Sequence, residues 1–109
     1  MKQWDTNQWV FPHGTHPCVI ISPTARCQNA DFENVNVLAC QSHRAARLPK
    51  VNEFILDTAD GMDWDTLVKC DFIWSVPKSE LKQKRGEVGE ERRRTLGRQV
   101  IKSVGLWLP

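Results

Sequence analysis

A helical hydrophobic period occurs once with any strength in this chain, over residues 90–104. There the apolar positions Leu96, Val100, Ile101 and Val104 fall at spacings of four, one and three, the stripe of a helix packed on one side. Glu90 and Glu91 at its start and Lys102 near its end complement the helix dipole, and Gly105 supplies a stop signal. Gly97 weakens the middle by about 1 kcal/mol against Ala; close backbone packing is the use it suggests. Everything ahead of this helix consists of short apolar runs broken by turn residues. The chain must therefore build most of its core from strands.

Those runs are readable one by one. "NQWVF" (7–11) is a short strand stopped by Pro12, and "PHGTHP" (12–17) is a loop with two His. "CVIISP" (18–23) is a continuous apolar run, the look of a central strand ended by Pro23. Residues 24–33 are polar and read as loop. "NVNVLAC" (34–40) and "VNEFIL" (51–56) read as strands, separated by an exposed basic loop over 41–50. "TLVKC" and "FIWSV" follow one another without a breaker, so they form one long or bent strand. "PKSEL" (77–81) reads as a helical turn, and "KRGEV" (84–88) as a turn around Gly86. Five or six short strands and one helix in 109 residues predict a single domain, residues 1–109, built as a small, curved antiparallel barrel. A barrel of this size fills its own interior. A site must lie on its outer face, in its loops or between two copies.

Composition narrows the function classes. Hydrophobic residues make up 40% of the chain and charged residues 26%, which is globular rather than disordered. The net charge of +2 is too small by itself to argue for nucleic acid, but residues 82–102 carry eight Lys or Arg against Glu87, Glu90 and Glu91. Five Trp with no Tyr suggest apolar anchors in the core, in a groove or at a dimer contact. Cys18, Cys27, Cys40 and Cys70 form no close pair and no signal-peptide pattern accompanies them, so they read as reduced thiols in a cytoplasm. The His residues show no ligand spacing with them, and a zinc site is not expected. "DTADGMDWD" (57–65) is dense in Asp but fails the calcium-loop pattern, and turn or capping chemistry is its default reading. No apolar run approaches the roughly 20 residues that cross a bilayer.

"LVKCDFIW" (67–74) poses the sharpest question. A strand with apolar ends carries Lys69 and Asp71 in its middle, two residues apart and so facing one side. A surface ion pair explains this, and so does an acid and a cation aimed at a substrate.

The order of the pieces resembles a known family. "THPCVIISP" resembles the "RPvlViSp" strand of the MazF/PemK/Kid toxins of toxin–antitoxin systems, and "NVNVLACQS" their next strand with its polar Thr/Ser/Gln end. "LVKCDFIWSVPKSEL" is similar to the segment that in Kid/PemK reads Val-Arg-Cys-Asp, and "RGEVGEERRRTLGRQVIKSVGL" to the closing helix. The resemblance runs over roughly residues 9–106. It implies a mainly β, SH3-like (PemK/CcdB-type) barrel with a C-terminal helix, usually a homodimer. It also implies a cytoplasmic, growth-inhibiting endoribonuclease that uses no metal or other cofactor. Its implied partners are single-stranded mRNA, a cognate antitoxin, and operator DNA bound as the toxin–antitoxin complex.

Metal-free RNA cleavage needs a base for the 2′-hydroxyl, a cation for the phosphate and an acid for the leaving 5′-oxygen. The products are a 2′,3′-cyclic phosphate and a 5′-hydroxyl. The resemblance places Asp71 as general base and Lys69 where the family has an Arg. A Lys holds phosphate as a point charge without the planar fork. His16 stands where most of the family has Arg, and an imidazole ordinarily titrates near neutrality. His13, Gln41, Ser42, Arg44, Arg47 and Trp74 are the expected RNA contacts, through phosphate, base edge or stacking. With two family Arg positions substituted, the alternative is a catalytically weak or inactive relative that binds antitoxin and operator DNA. An adaptor SH3-like domain with a Trp-lined peptide groove is the third reading.

Overall fold

The computed structural model describes residues 1–43, 47–81 and 83–106. In chain order the elements are β1 (Asp5–Phe11), β2 (Gly14–Ile20), α1 (Thr24–Cys27), β3 (Asn34–Ser42), β4 (Glu53–Leu56), β5 (Thr66–Pro77), β6 (Gln83–Glu87) and α2 (Glu90–Ser103). Single 3-10 turns at Thr58–Asp60 and Lys78–Glu80 flank β5. The six strands form one curled antiparallel sheet in the order β4-β5-β3-β2-β1-β6. The expected mainly β architecture with a C-terminal helix is the one observed.

Apolar runs become central strands here because the sheet is buried on both sides. In β2, Cys18 and Ile20 join one cluster with Phe11, Val35, Val37, Ala39 and Val76, while Val19 joins the other with Leu38, Cys40, Val68 and Cys70. The second cluster is closed by Leu96 and Val100 of α2, so the first part of the helical stripe read from the sequence packs, while Val104 at its end is exposed. The helix ends where Gly105 takes φ +75, with Gly105 N–H donating to Lys102 and Leu106 N–H to Ile101.

The strand "TLVKCDFIW" is bent by a bulge. Cys40 pairs with Val68 and Leu38 with Ile73, so Lys69 to Phe72 stand against Ala39 alone. Strand alternation points Cys70 into the core, while Asp71 is exposed and Lys69 lies half-buried against Glu53. That geometry answers how a core strand carries two charges in its middle.

Four expectations need correction. Thr24–Cys27 form the short helix α1 inside the segment read as loop, and Gln41 and Ser42 extend β3 rather than opening the 41–50 loop. His16 lies in β2 rather than in a loop, because the β1–β2 connection is a two-residue turn, Pro12-His13, closed by the Phe11–Gly14 pair. Gly86 lies in β6 rather than at a turn. There it passes against Gly61, which caps the turn Thr58–Asp60: a Cβ on either residue would come within 2.9 Å of the other segment's backbone.

Candidate functional site

The tight β1–β2 turn brings the two histidines together. Their ring centroids are 5.0 Å apart, and both rings lie against Phe11, at 5.3 Å for His13 and 6.2 Å for His16. Phe11 is in turn flanked edge-on by Trp9 and Trp74. Trp74, expected to stack a base, is half-buried and packs on Trp9, Phe11 and His13, where it supports the turn.

The His16 imidazole itself packs on Phe11 and His13, while a cavity of about 290 Å³ beside the hairpin has His16 among its lining residues. Its lining includes Gln8, Thr15, His16, Ser42, Trp64, Thr66, Asp63 and Arg85. The elements explain the meeting. His16 comes from β2 and Ser42 from the last position of β3, while β6 delivers Arg85 because β1 pairs with it. Ser42 Oγ accepts a hydrogen bond from the Trp64 indole at 2.8 Å. Arg85 is paired with Asp63 at 2.7 Å and donates Nε–H to the Gly61 carbonyl at 3.0 Å.

The Asp-rich loop is the mount for this cavity. Asp57 and Asp60 form a reciprocal capping box around the turn at Thr58–Asp60, as the default reading expected. Arg92 of α2 binds both carboxylates, and the Gly89 N–H donates to Asp60 Oδ1 at 2.7 Å. The Arg92 guanidinium holds the Asp57 carboxyl below the usual carboxylate range. Thr6 donates its hydroxyl to the Asp60 carbonyl, tying the loop to β1. Gly61 closes the turn with φ +87, where a Cβ would lie 2.8 Å from the Arg85 carbonyl oxygen.

Lys69 and Asp71 stand in a different group. Lys69 pairs with Glu53, its register partner across β4–β5, and not with Asp71. Asp71 is exposed and accepts from Asn52 Nδ2 at 3.0 Å. Arg47, expected to follow the RNA backbone, instead forks onto Glu53 at 2.7 and 3.1 Å. The Lys50 N–H adds a fourth donor at 2.9 Å. Arg47 first, then Lys69 and the Lys50 amide, hold the buried Glu53 carboxyl well below its usual range against the opposing effect of burial. Among the described residues, no hydrogen bond or ring contact joins this group to His13 and His16. Gln41 is exposed beside Ser42 on the opposite strand face, and Arg44 lies outside the described residues.

A sequence model of the family described as "PemK-like, MazF-like toxin of type II toxin-antitoxin system" matches residues 8–104. The chain belongs to that family. Solved structures agree on the fold. An endoribonuclease in complex with its cognate antitoxin, from a mycobacterial species, superposes with a TM-score of 0.84 at 19% identity, covering 100% of this chain and 99% of the other. The Mycobacterium tuberculosis toxin MazF-mt6 gives 0.80 at 16% identity, over 95% and 99%. A MazE-MazF structure from Deinococcus radiodurans gives 0.74 at 18%, over 98% and 97%. No curated protein matches the chain significantly. At these identities the superpositions speak for the fold of this toxin-family chain, and no described helix is long and apolar enough to cross a membrane.

Sequence reasoning missed three residues of these sites: Trp64, Arg85 and Glu53. Arg85 and Trp64 are 43 and 22 positions from Ser42, and only the pairing of β1 with β6 and the folded Asp loop unite them. Glu53 carried a signal, an acid inside an otherwise apolar strand run, which required a cation across the sheet.

Proposed function

We propose that this toxin-family chain inhibits growth as an endoribonuclease that cleaves single-stranded RNA beside His16. The observation that carries the reading is the cavity whose lining includes His16, Ser42 and Arg85. His16 supplies the acid–base group that transfers the 2′-hydroxyl or 5′-oxygen proton. Arg85 swings from Asp63 to the phosphate and stabilises the charge that builds on its oxygens; Asp63 is well exposed and can give it up to solvent. Ser42 hydrogen-bonds a phosphate or sugar oxygen. His13, at the mouth of the turn, lies within reach of the next phosphate.

Asp71 and Lys69 enter as the competing assignment. Within one protomer, Lys69 is occupied by Glu53, which makes its first role the support of the 47–53 segment. A homodimer that sets the β5 bulge of one copy beside the histidine cavity of the other would bring Asp71 into the reaction as its base, and we propose that assembly. Products are a 2′,3′-cyclic phosphate and a 5′-hydroxyl, made without a metal in the cytoplasm. A cognate antitoxin silences the toxin by covering the cavity and binds operator DNA together with it. The antitoxin complexes named among the structural neighbours support that partner class.

Expression of the chain alone in cells tests the proposal, followed by mapping of RNA ends. Growth arrest with new 5′-hydroxyl ends is expected, and both should vanish for His16→Ala. Arrest without new RNA ends would contradict cleavage.

A further inference from the structure

The fold uses only part of the basic end of the chain. Among the Lys and Arg of residues 82–102, Lys84, Arg85, Arg92 and Arg93 pair with Asp5, Asp57, Asp60, Asp63 and Glu87. Lys82 lies outside the described residues. Arg94, Arg98 and Lys102 are exposed, and among the described residues no hydrogen bond or ion pair reaches their side chains. We infer that these three form a ridge along α2 that holds the phosphate backbone of the single-stranded RNA to one side of the cut. The inference rests on the endoribonuclease reading and names the surface that binds the substrate strand outside the cavity.

The first observation is alignment. Residues four apart in a helix lie on one flank, about 6 Å apart along the axis. Arg94, Arg98 and Lys102 keep that step twice, opposite Leu96 and Val100, which pack on the core. A row of cations at one regular step suits a chain of phosphates, which carries one charge per nucleotide. The second is the sequence around them. Glu90 and Glu91 stand in the first turn of α2, and from Arg92 to Val104 the chain has no acid. The positive charge of the ridge is therefore not neutralised along the helix.

The third is position. Arg92 and the Gly89 N–H fasten the start of α2 to Asp57 and Asp60, in the loop that leads to Asp63 in the cavity lining. Further along, Gln99 donates to the Val51 carbonyl, next to the Asn52 that holds Asp71. The ridge thus stands on a helix fixed to both groups of candidate site residues. Its surface also selects the partner. The exposed residues from Arg94 to Lys102 are Arg94, Thr95, Arg98 and Lys102, with no apolar side chain among them. A protein partner is held mainly by buried aromatic and apolar anchors, and this face offers none. Phosphates need only placed cations. Such contacts position a strand without reading its sequence.

The test measures binding of a long 2′-O-methyl RNA, which cannot be cleaved, to the whole chain by fluorescence anisotropy across a salt series. The parent is compared with a neutral variant (Arg94→Gln, Arg98→Gln and Lys102→Gln) and a charge-keeping one (Arg94→Lys, Arg98→Lys and Lys102→Arg). Gln and Lys nearly match Arg in helix propensity, so both variants keep α2. Each phosphate contact on a single strand adds about 0.7 to the slope of log affinity against log salt, so three add about 2. Between about 50 and about 200 mM salt the parent should lose about 20-fold more affinity than the neutral variant. The charge-keeping variant should follow the parent. With cleavable RNA, the neutral variant should raise KM and leave kcat alone. If it melts lower than the parent, single variants decide, each with a slope change of about 0.7. Equal slopes for the parent and the neutral variant would overturn the inference. So would a neutral variant that loses affinity for duplex DNA alone, which would make the ridge an operator surface, or a parent that does not bind RNA. Cleavage by the parent is scored separately. Its absence sinks the endoribonuclease reading, whereas cleavage with equal slopes sinks only the ridge.

Discussion

Lys69 is bound to Glu53, its cross-strand partner, while Asp71 two residues further on faces Asn52. The pair of opposite charges in the β5 bulge is therefore two separate contacts. Glu53 is the centre of one of them, taking donors from Arg47, Lys50 and Lys69. Glu53→Leu leaves two cations without their acid. Because Arg47 and Lys69 both reach water, the expected loss is about 2 kcal/mol rather than the 3–5 of a fully buried broken pair. Urea unfolding measures it, and a change within 0.5 kcal/mol, roughly that of a neutral surface substitution, would remove Glu53 from the stability account.

Acid should find the same residue. The Glu53 and Asp57 carboxyls are both held below their ordinary values in the folded chain. A depressed carboxyl contributes stability that is fully present above the unfolded value near pH 4 and is lost as pH falls through the folded one. The melting temperature should begin to fall below about pH 5 and keep falling toward pH 3. Glu53→Gln should shallow that slope from a lower starting point. A melting temperature level from pH 7 to pH 3 would contradict the linkage.

Two glycines should respond in opposite directions. A Cβ on Gly97 would meet the Trp4 ring at 3.7 Å, ordinary contact, so close packing does not require glycine there. Gly97→Ala should gain up to about 1 kcal/mol, a rise of a few degrees in melting temperature. Gly61→Ala meets the Arg85 carbonyl oxygen at 2.8 Å with φ +87 and should lose at least as much. Differential scanning calorimetry of both variants checks the pair.

Burial pushes the Cys18 and Cys70 thiols up to about 12, and the fully buried Cys40 thiol well above its ordinary value. All four thiols are free and buried. A thiol reagent at pH 8 should label the native chain no faster than it unfolds, and label all four in urea. Fast stoichiometric labelling of the native chain would contradict this packing.

How far the sequence carried these conclusions differs between fold and site. The apolar run of β2 and the four-one-three stripe of α2 reported their elements because burial on two faces, or on one stripe, writes itself into local periodicity. β6 did not. "QKRGE" is an edge strand, exposed or half-exposed throughout, so no alternation marks it, and Gly86 looked like a turn. The Gly and Pro residues around His16 read as a loop, yet a two-residue turn leaves Gly14 and Pro17 within the hairpin. In the site, the resemblance led to His16 and Ser42, and these share a cavity. It also led to Lys69 and Asp71, whose contacts lie elsewhere in the protomer. Trp64 and Arg85 were invisible because their neighbours are tertiary.

The two competing bases can be separated by kinetics. His16→Ala and Asp71→Asn, each assayed at equal melting temperature on one RNA, should differ. A base located in the cavity predicts a fall of 10²-fold or more in kcat for His16→Ala. Loss for Asp71→Asn that is rescued by mixing with His16→Ala subunits would place the base across a dimer.

The central claim is tested most directly by the chemistry of the cut ends. The purified chain is incubated with a defined single-stranded RNA and a chelator, and the termini are identified by mass. The account predicts 2′,3′-cyclic phosphate and 5′-hydroxyl ends, absent with His16→Ala. Ends bearing a 5′-phosphate and a 3′-hydroxyl, or His16→Ala cleaving like the parent, would contradict it.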